Sequence, residues 1–298
     1  MSSFVKKILR FSFKLATGNF GITGANVLTL EGLRAGVVIE HAGGQAMSVA
    51  TIQIFGMTRS DMNQLAMLAW KPFDVQRNFV TVEAGDEGGV MTRVFQGTIL
   101  NAWPDYRQAP DVFFHVESQA QFYDQINPVP PLSYPGPVAV ADIMSGLASA
   151  MGLAFENNGV SVQLDRAYFP GTAIDQARAV AQHANIDLYI DGTELAISPK
   201  GVPRKGFVPV ISTDTGMVGY PVFDKNGITV TTLFNPGVKF GGEIEVVPGV
   251  ALPQGLIPPS NGRWWANSIT HRLDANRPGG AWFTDITATS FGFPVLTR

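Results

Sequence analysis

The chain has no cysteine among its 298 residues. That excludes disulfides, zinc–thiolate sites and thiol nucleophiles together, and it suits folding in a reducing cytoplasm. Charge is also scarce. Asp, Glu, Lys and Arg make up 15% of the chain, against ~25% in an average globular protein. Either the core is large and β-rich, or much of the surface is buried against other subunits. The net charge is −3, with none of the basic bias that sequence-specific nucleic-acid binding requires. No apolar run reaches the ~18 residues of a membrane span, so no membrane anchor is expected. The N-terminus starts basic, but Arg10, Ser12 and Lys14 interrupt what a signal peptide would need as a ~7–15-residue apolar stretch. It reads as the mature start of a cytoplasmic product.

What the chain does have is hydrophobic patterning, with 45% of its residues apolar. Leu9, Phe11, Phe13 and Leu15 alternate with polar residues, which is the period of a half-buried strand. Val27 to Glu40 reads as one or two strands broken near Gly32 and Gly36, and Ser48 to Phe55 as another. Ser60 is placed to cap a helix over Met62 to Trp70, with Leu65, Leu68 and Ala69 inward, ended by Pro72. Phe79–Ala84 and Val90–Leu100 flank a Gly-rich loop and read as a hairpin, and Asp111 to Gln119 as a further strand. Residues 1–127 are thus a β block with one helix.

Composition then shifts. Asn127 to Pro137 contains Pro128, Pro130, Pro131, Pro135 and Pro137, and proline stiffens the chain and removes donors. Residues 128–137 are therefore expected to be a linker. Val138 to Met151 is helical in pattern, with Val140, Ile143, Met144, Leu147 and Ala148 on one face. A second helix from the cap Thr172 to about Asn185 turns Ile174, Ala177, Val180 and Ala181 inward. Ile186–Ile190 and Glu194–Ser198 around Asp191-Gly192 read as a hairpin. Residues 138–201 form an α+β insert, and from 202 to 298 the chain returns to β. There Asn226-Gly227 marks a turn, Ile228–Leu233 and Gly242–Val247 are strands, and Trp264–Leu273 and Ala281–Thr289 are joined by a polar loop.

Chemistry-bearing patterns are few. His41, His115, His183 and His271 lie far apart in sequence, without the i, i+4 spacing that places two metal ligands on one helix face. No G-x-S-x-G elbow and no phosphate-binding G-x-x-x-x-G-K-[ST] loop occurs. Asp86 and Glu87 sit in a turn, where acids are ordinarily solvated. Glu243 and Glu245 share one face of a strand, as a glycan-cleaving pair would. They read better as the outer face of a strand that turns Ile244 and Val246 inward. Trp264, Trp265 and Trp282 could stack sugars or bases, but aromatic pairs across a hairpin are the commoner use. No catalytic, cofactor or metal residue is assigned.

Three segments carry a resemblance. Thr232-Leu233-Phe234-Asn235-Pro236-Gly237-Val238-Lys239-Phe240-Gly241-Gly242 is a strand ending in Leu-Phe-Asn-Pro, then a turn, then a glycine entering the next strand. Asn267–Asp274 followed by Ala281–Ile286 gives a His-x-Leu-Asp strand end, a turn and a Trp-x-Thr strand. Val94–Ile99 with Ala102–Asp105 is the third. In these motifs the chain resembles the baseplate hub proteins of contractile phage tails, related to late control protein D and the VgrG proteins. The resemblance implies a fold that is mainly β with an α+β insert. Its two tube-like β-barrel domains per subunit would build a pseudo-six-fold trimeric ring. The implied partners are the tail tube protein, a central spike protein and other baseplate proteins. The implied place is the virion tail baseplate, assembled in the host bacterial cytoplasm. No enzyme activity is expected, and no lysozyme-like region is fused.

Leu233, Phe234, Pro236, Gly237, Trp264, Trp265 and Trp282 are the structural or interface candidates. Leu233 and Phe234 should point to opposite faces, with Gly237 at positive φ in a type II turn after Pro236. Two alternatives stand beside the hub. One is a distal tail or tube protein, which needs only one barrel. The other is a β-rich protein that binds or cleaves glycans.

Overall fold

A computed structural model describes residues 5–20, 24–43, 46–69, 78–107, 109–224, 227–249 and 260–290. The fold is mainly β. The first unit comprises β1 (Lys7–Lys14), β2 (Val27–Glu31), β3 (Ala35–His41), β4 (Val49–Phe55), α1 (Arg59–Ala69), β5 (Phe79–Asp86), β6 (Thr92–Asp105), β7 (Phe113–Gln119) and a short α2 (Phe122–Ile126). β1 forms for the reason its alternation suggests: Leu9, Phe11 and Phe13 are fully buried and the residues between them face outward. The Val27–Glu40 stretch is two strands, broken over residues 32–34 with Gly32 at φ 74°. Gly36 lies inside β3. The cap of α1 is Thr58, two residues before the expected Ser60. The Thr58 hydroxyl accepts from the Asp61 N–H at 3.2 Å and donates to its carboxylate at 2.7 Å. Met62 and Leu65 face the core. The side chains of Leu68 and Ala69 and the stop at Pro72 lie outside the described residues.

The insert comprises β8 (Leu132–Ser133), β9 (Val138–Ala139), α3 (Val140–Met151), β10 (Ala154–Asn157), β11 (Gln163–Leu164), β12 (Tyr168–Phe169), α4 (Ala173–His183), β13 (Ile186–Ile190) and β14 (Glu194–Pro199). All the helix positions expected to point inward are buried. Thr172 caps α4 in a reciprocal box with Asp175. The proline-rich stretch differs from a free linker. Several of its non-proline residues find partners on the insert: Val129 N–H bonds Gly171 O, Tyr134 N–H bonds Ala167 O, and β8 pairs β12. Proline denies only its own N–H, so the neighbours between prolines still form ladder bonds.

The second β unit comprises β15 (Val210–Ser212), β16 (Met217–Asp224), β17 (Gly227–Leu233), β18 (Glu243–Val247), β19 (Gly262–Ala275) and β20 (Trp282–Thr289). Asn226, half of the expected turn, lies outside the described residues. Glu243 and Glu245 face outward, and Ile244 and Val246 are fully buried.

The two β units are one sheet of 13 strands. The join is the antiparallel pairing of β3 with β19, from His41 opposite Ile269 to Ala35 opposite Ala275. β18 pairs only as far along β19 as Trp265. The rest of that 14-residue strand is free on this side and takes β3. Two closed barrels were expected. Among the described residues the ladder instead runs open from β16 to β2, because the outer edge of β3 is occupied by a strand of the other unit. Three hydrophobic cores result, one in the insert and one in each β unit. Leu273 and Ala275 of β19 belong to the core of the first unit.

Candidate assembly site at the junction of the units

The β3–β19 seam gathers groups that lie far apart in sequence. His41 ends β3 and His271 sits on β19, so pairing places their rings edge to face with centroids 6.0 Å apart. His41 Nδ1 shares a hydrogen bond with Ser48 Oγ at 2.6 Å, and His271 Nδ1 one with Thr284 Oγ1 at 2.9 Å. Phe234 lies edge-on to His271 and to Trp282, each at 5.5 Å. A row of four rings therefore crosses the seam. Burial pushes the His271 imidazole down to about 3, and the neighbouring His41 adds to the shift. Burial also lowers His41, against the pull of Asp191.

Beside this row the insert is clamped to the second β unit by Arg204. Its backbone N–H donates to Gly241 O at 2.8 Å. Its guanidinium donates to Glu156 at 2.9 and 3.1 Å, to Asp191 at 3.2 Å, to Glu194, and to Phe240 O at 3.2 Å. The side chain is 1% exposed. Lys239 reaches Glu156 and Glu194, each at 3.1 Å. Burial alone would raise Glu156, but the hydrogen bonds and charge of Arg204 outweigh it and hold the carboxyl at about 2. The same contest holds Asp191 below its ordinary value. A buried guanidinium needs nearly all its donors used, and three carboxylates and a carbonyl meet that need. These groups border a cavity of about 170 Å³ with His41, His271, Asp191, Glu194, Lys239 and Arg93 on its wall. Among the described residues no group of three or more His, Cys, Asp or Glu converges to hold a metal.

The sequence-derived candidates fall in two places. Leu233, Phe234, Pro236 and Trp282 line a cleft of about 380 Å³, opposite Lys7, Asp86 and Val90 of the first unit. Leu233 and Phe234 do diverge: Phe234 packs on the core of the first unit, while Leu233 packs against Gly216. Trp264 and Trp265 lie at the far end of β19. Trp264 is buried in the second core and donates to Ser260 O at 2.9 Å; half-buried Trp265 donates to Gly241 O at 3.0 Å. Trp265 and Trp282 face Thr289 and Leu273 across the hairpin and do not pair with each other.

Gly237 departs from expectation. It is not among the residues at positive φ, so the turn is not type II. The Asn235 side chain accepts from its N–H at 2.9 Å instead, and this asparagine turn shapes the bend without a left-handed residue. In this segment the glycine that needs its lack of a side chain is Gly241. It sits at φ 77°, and a Cβ there would lie 2.4 Å from the Tyr189 ring. Sequence reasoning missed the Arg204 cluster, because its members come from four separate stretches.

Several solved structures share this fold. The tail protein of Neisseria meningitidis MC58 aligns over 95% of this chain and 97% of its own at 10% identity, with a TM-score of 0.57. The 43 kDa tail protein of prophage MuSo2 from Shewanella oneidensis aligns over 96% of each chain at 12% identity, with a TM-score of 0.55. The Escherichia coli c3393 protein aligns over 87% of this chain and 74% of its own at 10% identity, with a TM-score of 0.54. It is described as a component of the type VI secretion system with structural similarity to T4 bacteriophage tail proteins gp27 and gp5. At these identities the likeness is one of fold. No curated protein matches the sequence. A family model, that of the baseplate hub gp41, matches residues 8–273. The chain therefore belongs to the baseplate hub gp41 family.

Proposed function

We propose that three copies of this chain form a ring that joins the tail tube to the central spike of a contractile phage-type tail. A structural role in the phage baseplate comes with the family. The finer reading rests on one observation: two β units of one chain are welded edge to edge by the β3–β19 ladder. Two such units per copy let three copies present six similar faces to a six-fold tube. A plain tube protein would need only one unit, so the second unit and the insert favour the hub. The ring works by contact and not by catalysis, and it is assembled in the host cytoplasm with tube, spike and other baseplate proteins. The decisive measurement is the number of copies per baseplate, from the mass of hub assemblies released from isolated tails. Three are expected; one or six overturns the trimer.

A further inference from the structure

The two β units repeat one ladder. β5-β6-β7-β4-β3 in the first corresponds to β18-β19-β20-β17-β16 in the second, antiparallel throughout; beyond them β1 joins β5 antiparallel and β15 joins β18 parallel. β6 and β19 are both 14 residues long. Each carries a register shift at the same place against its hairpin partner: between Ile99 and Asn101 opposite β7, and between Ala266 and Ser268 opposite β20. The outermost strands differ in one respect. β3 is covered by β19, whereas among the described residues nothing pairs beyond β16. Counting along β4 and β17 from their partner strands puts Phe223 in the place of Ile39, since Ala50 and Ile228 occupy matching positions. Ile39 is 0% exposed and Phe223 57%. Beside Phe223, Val222 is 65% and Tyr220 66% exposed. A strand edge presenting this much apolar surface is a liability unless something covers it.

Within the chain, that cover is the second half of β19. Counted from the shared register shift, the same place in the first unit is the second half of β6, from Ala102 on. It leads into Tyr106, which is itself 52% exposed. We propose that the β16 edge of one copy packs along the second half of β6 of a second copy, as β3 packs along β19 within one chain. This deepens the ring reading above and rests on it. Pro221 and the register shift between Val218 and Val222 interrupt β16, and α1 also lies against β6. The contact therefore relies on side chains, with Tyr220, Val222 and Phe223 meeting Trp103 and Tyr106, more than on a continuous ladder. The surfaces that meet are different, so the contact is head-to-tail and closes into a ring when the rotation allows.

The absence of cysteine from this chain helps the test, because introduced thiols are then the only ones it carries. Val222→Cys and Tyr106→Cys, combined in one chain and treated in isolated tails with a short bifunctional maleimide, should give a ladder of covalent multimers. Its top band should equal the ring size. Each single variant should stay monomeric. Tails with the wild-type number of hubs but no ladder would overturn this seam and leave the ring standing. One hub per tail would overturn the ring itself, and a ladder ending at six would keep the seam and discard the trimer. If the double variant is not incorporated, wild-type amide exchange decides. Segments 101–107 and 218–224 should exchange more slowly in tails than in the free chain, and unchanged rates at both would refute the proposal.

Discussion

Arg204 holds a full charge with almost no water contact, and its stability depends on the three carboxylates around it. Removing one partner of a buried ion pair strands the others, typically at ~3–5 kcal/mol. Arg204→Met should therefore lower the urea midpoint strongly. Arg204→Lys should recover only part of the loss, since an ammonium cannot reach the same acceptors with a planar fork. Lys239→Ala should cost under ~1 kcal/mol, because that side chain is largely exposed.

The same residues set a pH dependence. His271 has its folded value lowered to about 3, against ~6.5 when unfolded. The unfolded state thus binds the proton first, and stability is lost as pH falls from ~6.5 toward 3. Glu156, held at about 2, contributes stability that is lost below its unfolded value of ~4.3. The urea midpoint should fall gently from pH 7 to 5 and more steeply below 4.5. His271→Phe should flatten the upper part of that curve. An unchanged slope between pH 7 and 5 would show that His271 does not titrate across unfolding.

Elements are joined here by turns whose chemistry lies in side chains. The bend after β17 is made by Asn235, and Gly237 is not at positive φ. A Cβ at Gly237 would come no nearer than 3.1 Å, to the Asn235 side chain. At Gly241 both the left-handed backbone and the Tyr189 ring exclude a side chain. Gly241→Ala should therefore cut soluble yield and thermal midpoint well below Gly237→Ala. Gly237→Val and Gly237→Asn should differ little from each other. A larger penalty for Gly237→Val would restore a left-handed turn at that position.

At the scale of the whole molecule, the protein is three cores held by one shared ladder and one buried charge cluster. That construction fits the structural baseplate role of the family. The outward pair Glu243 and Glu245 tests this. Glu243 meets Arg263 at 3.1 Å on an exposed face, where an ion pair contributes ~0–1 kcal/mol. Glu243→Gln with Glu245→Gln should leave tail assembly nearly unchanged. Loss of a measurable glycan-cleaving activity in that variant would contradict a purely structural hub.

Local signals were legible in the sequence wherever the period was clean. Leu9, Phe11 and Phe13 declared β1, and the faces of α3 and α4 and the Thr172 cap were readable because each is settled within a few residues. The cap of α1 was displaced by two residues because Thr58 and Ser60 are both good caps, and only Thr58 has an acid three positions on. The turn at Gly237 was misread because Pro-Gly suits several turn types, and the Asn235 side chain selected another.

By itself the amino-acid sequence determined most of the longer strands, the two helices of the insert, the order β, α+β, β, and the family motifs around Leu233–Gly237 and Trp282. All are properties of neighbours along the chain. Only the tertiary structure decided that the outer edge of β3, whose other edge pairs with β4, takes β19 of the second unit. The same step brought His41 to His271, and the packing of the insert brought Glu156, Asp191 and Glu194 around Arg204. Those contacts span roughly 10 to 230 positions of chain. Their partners are chosen by which edge is left free and which charge is left buried, and neither quantity exists before the chain has folded.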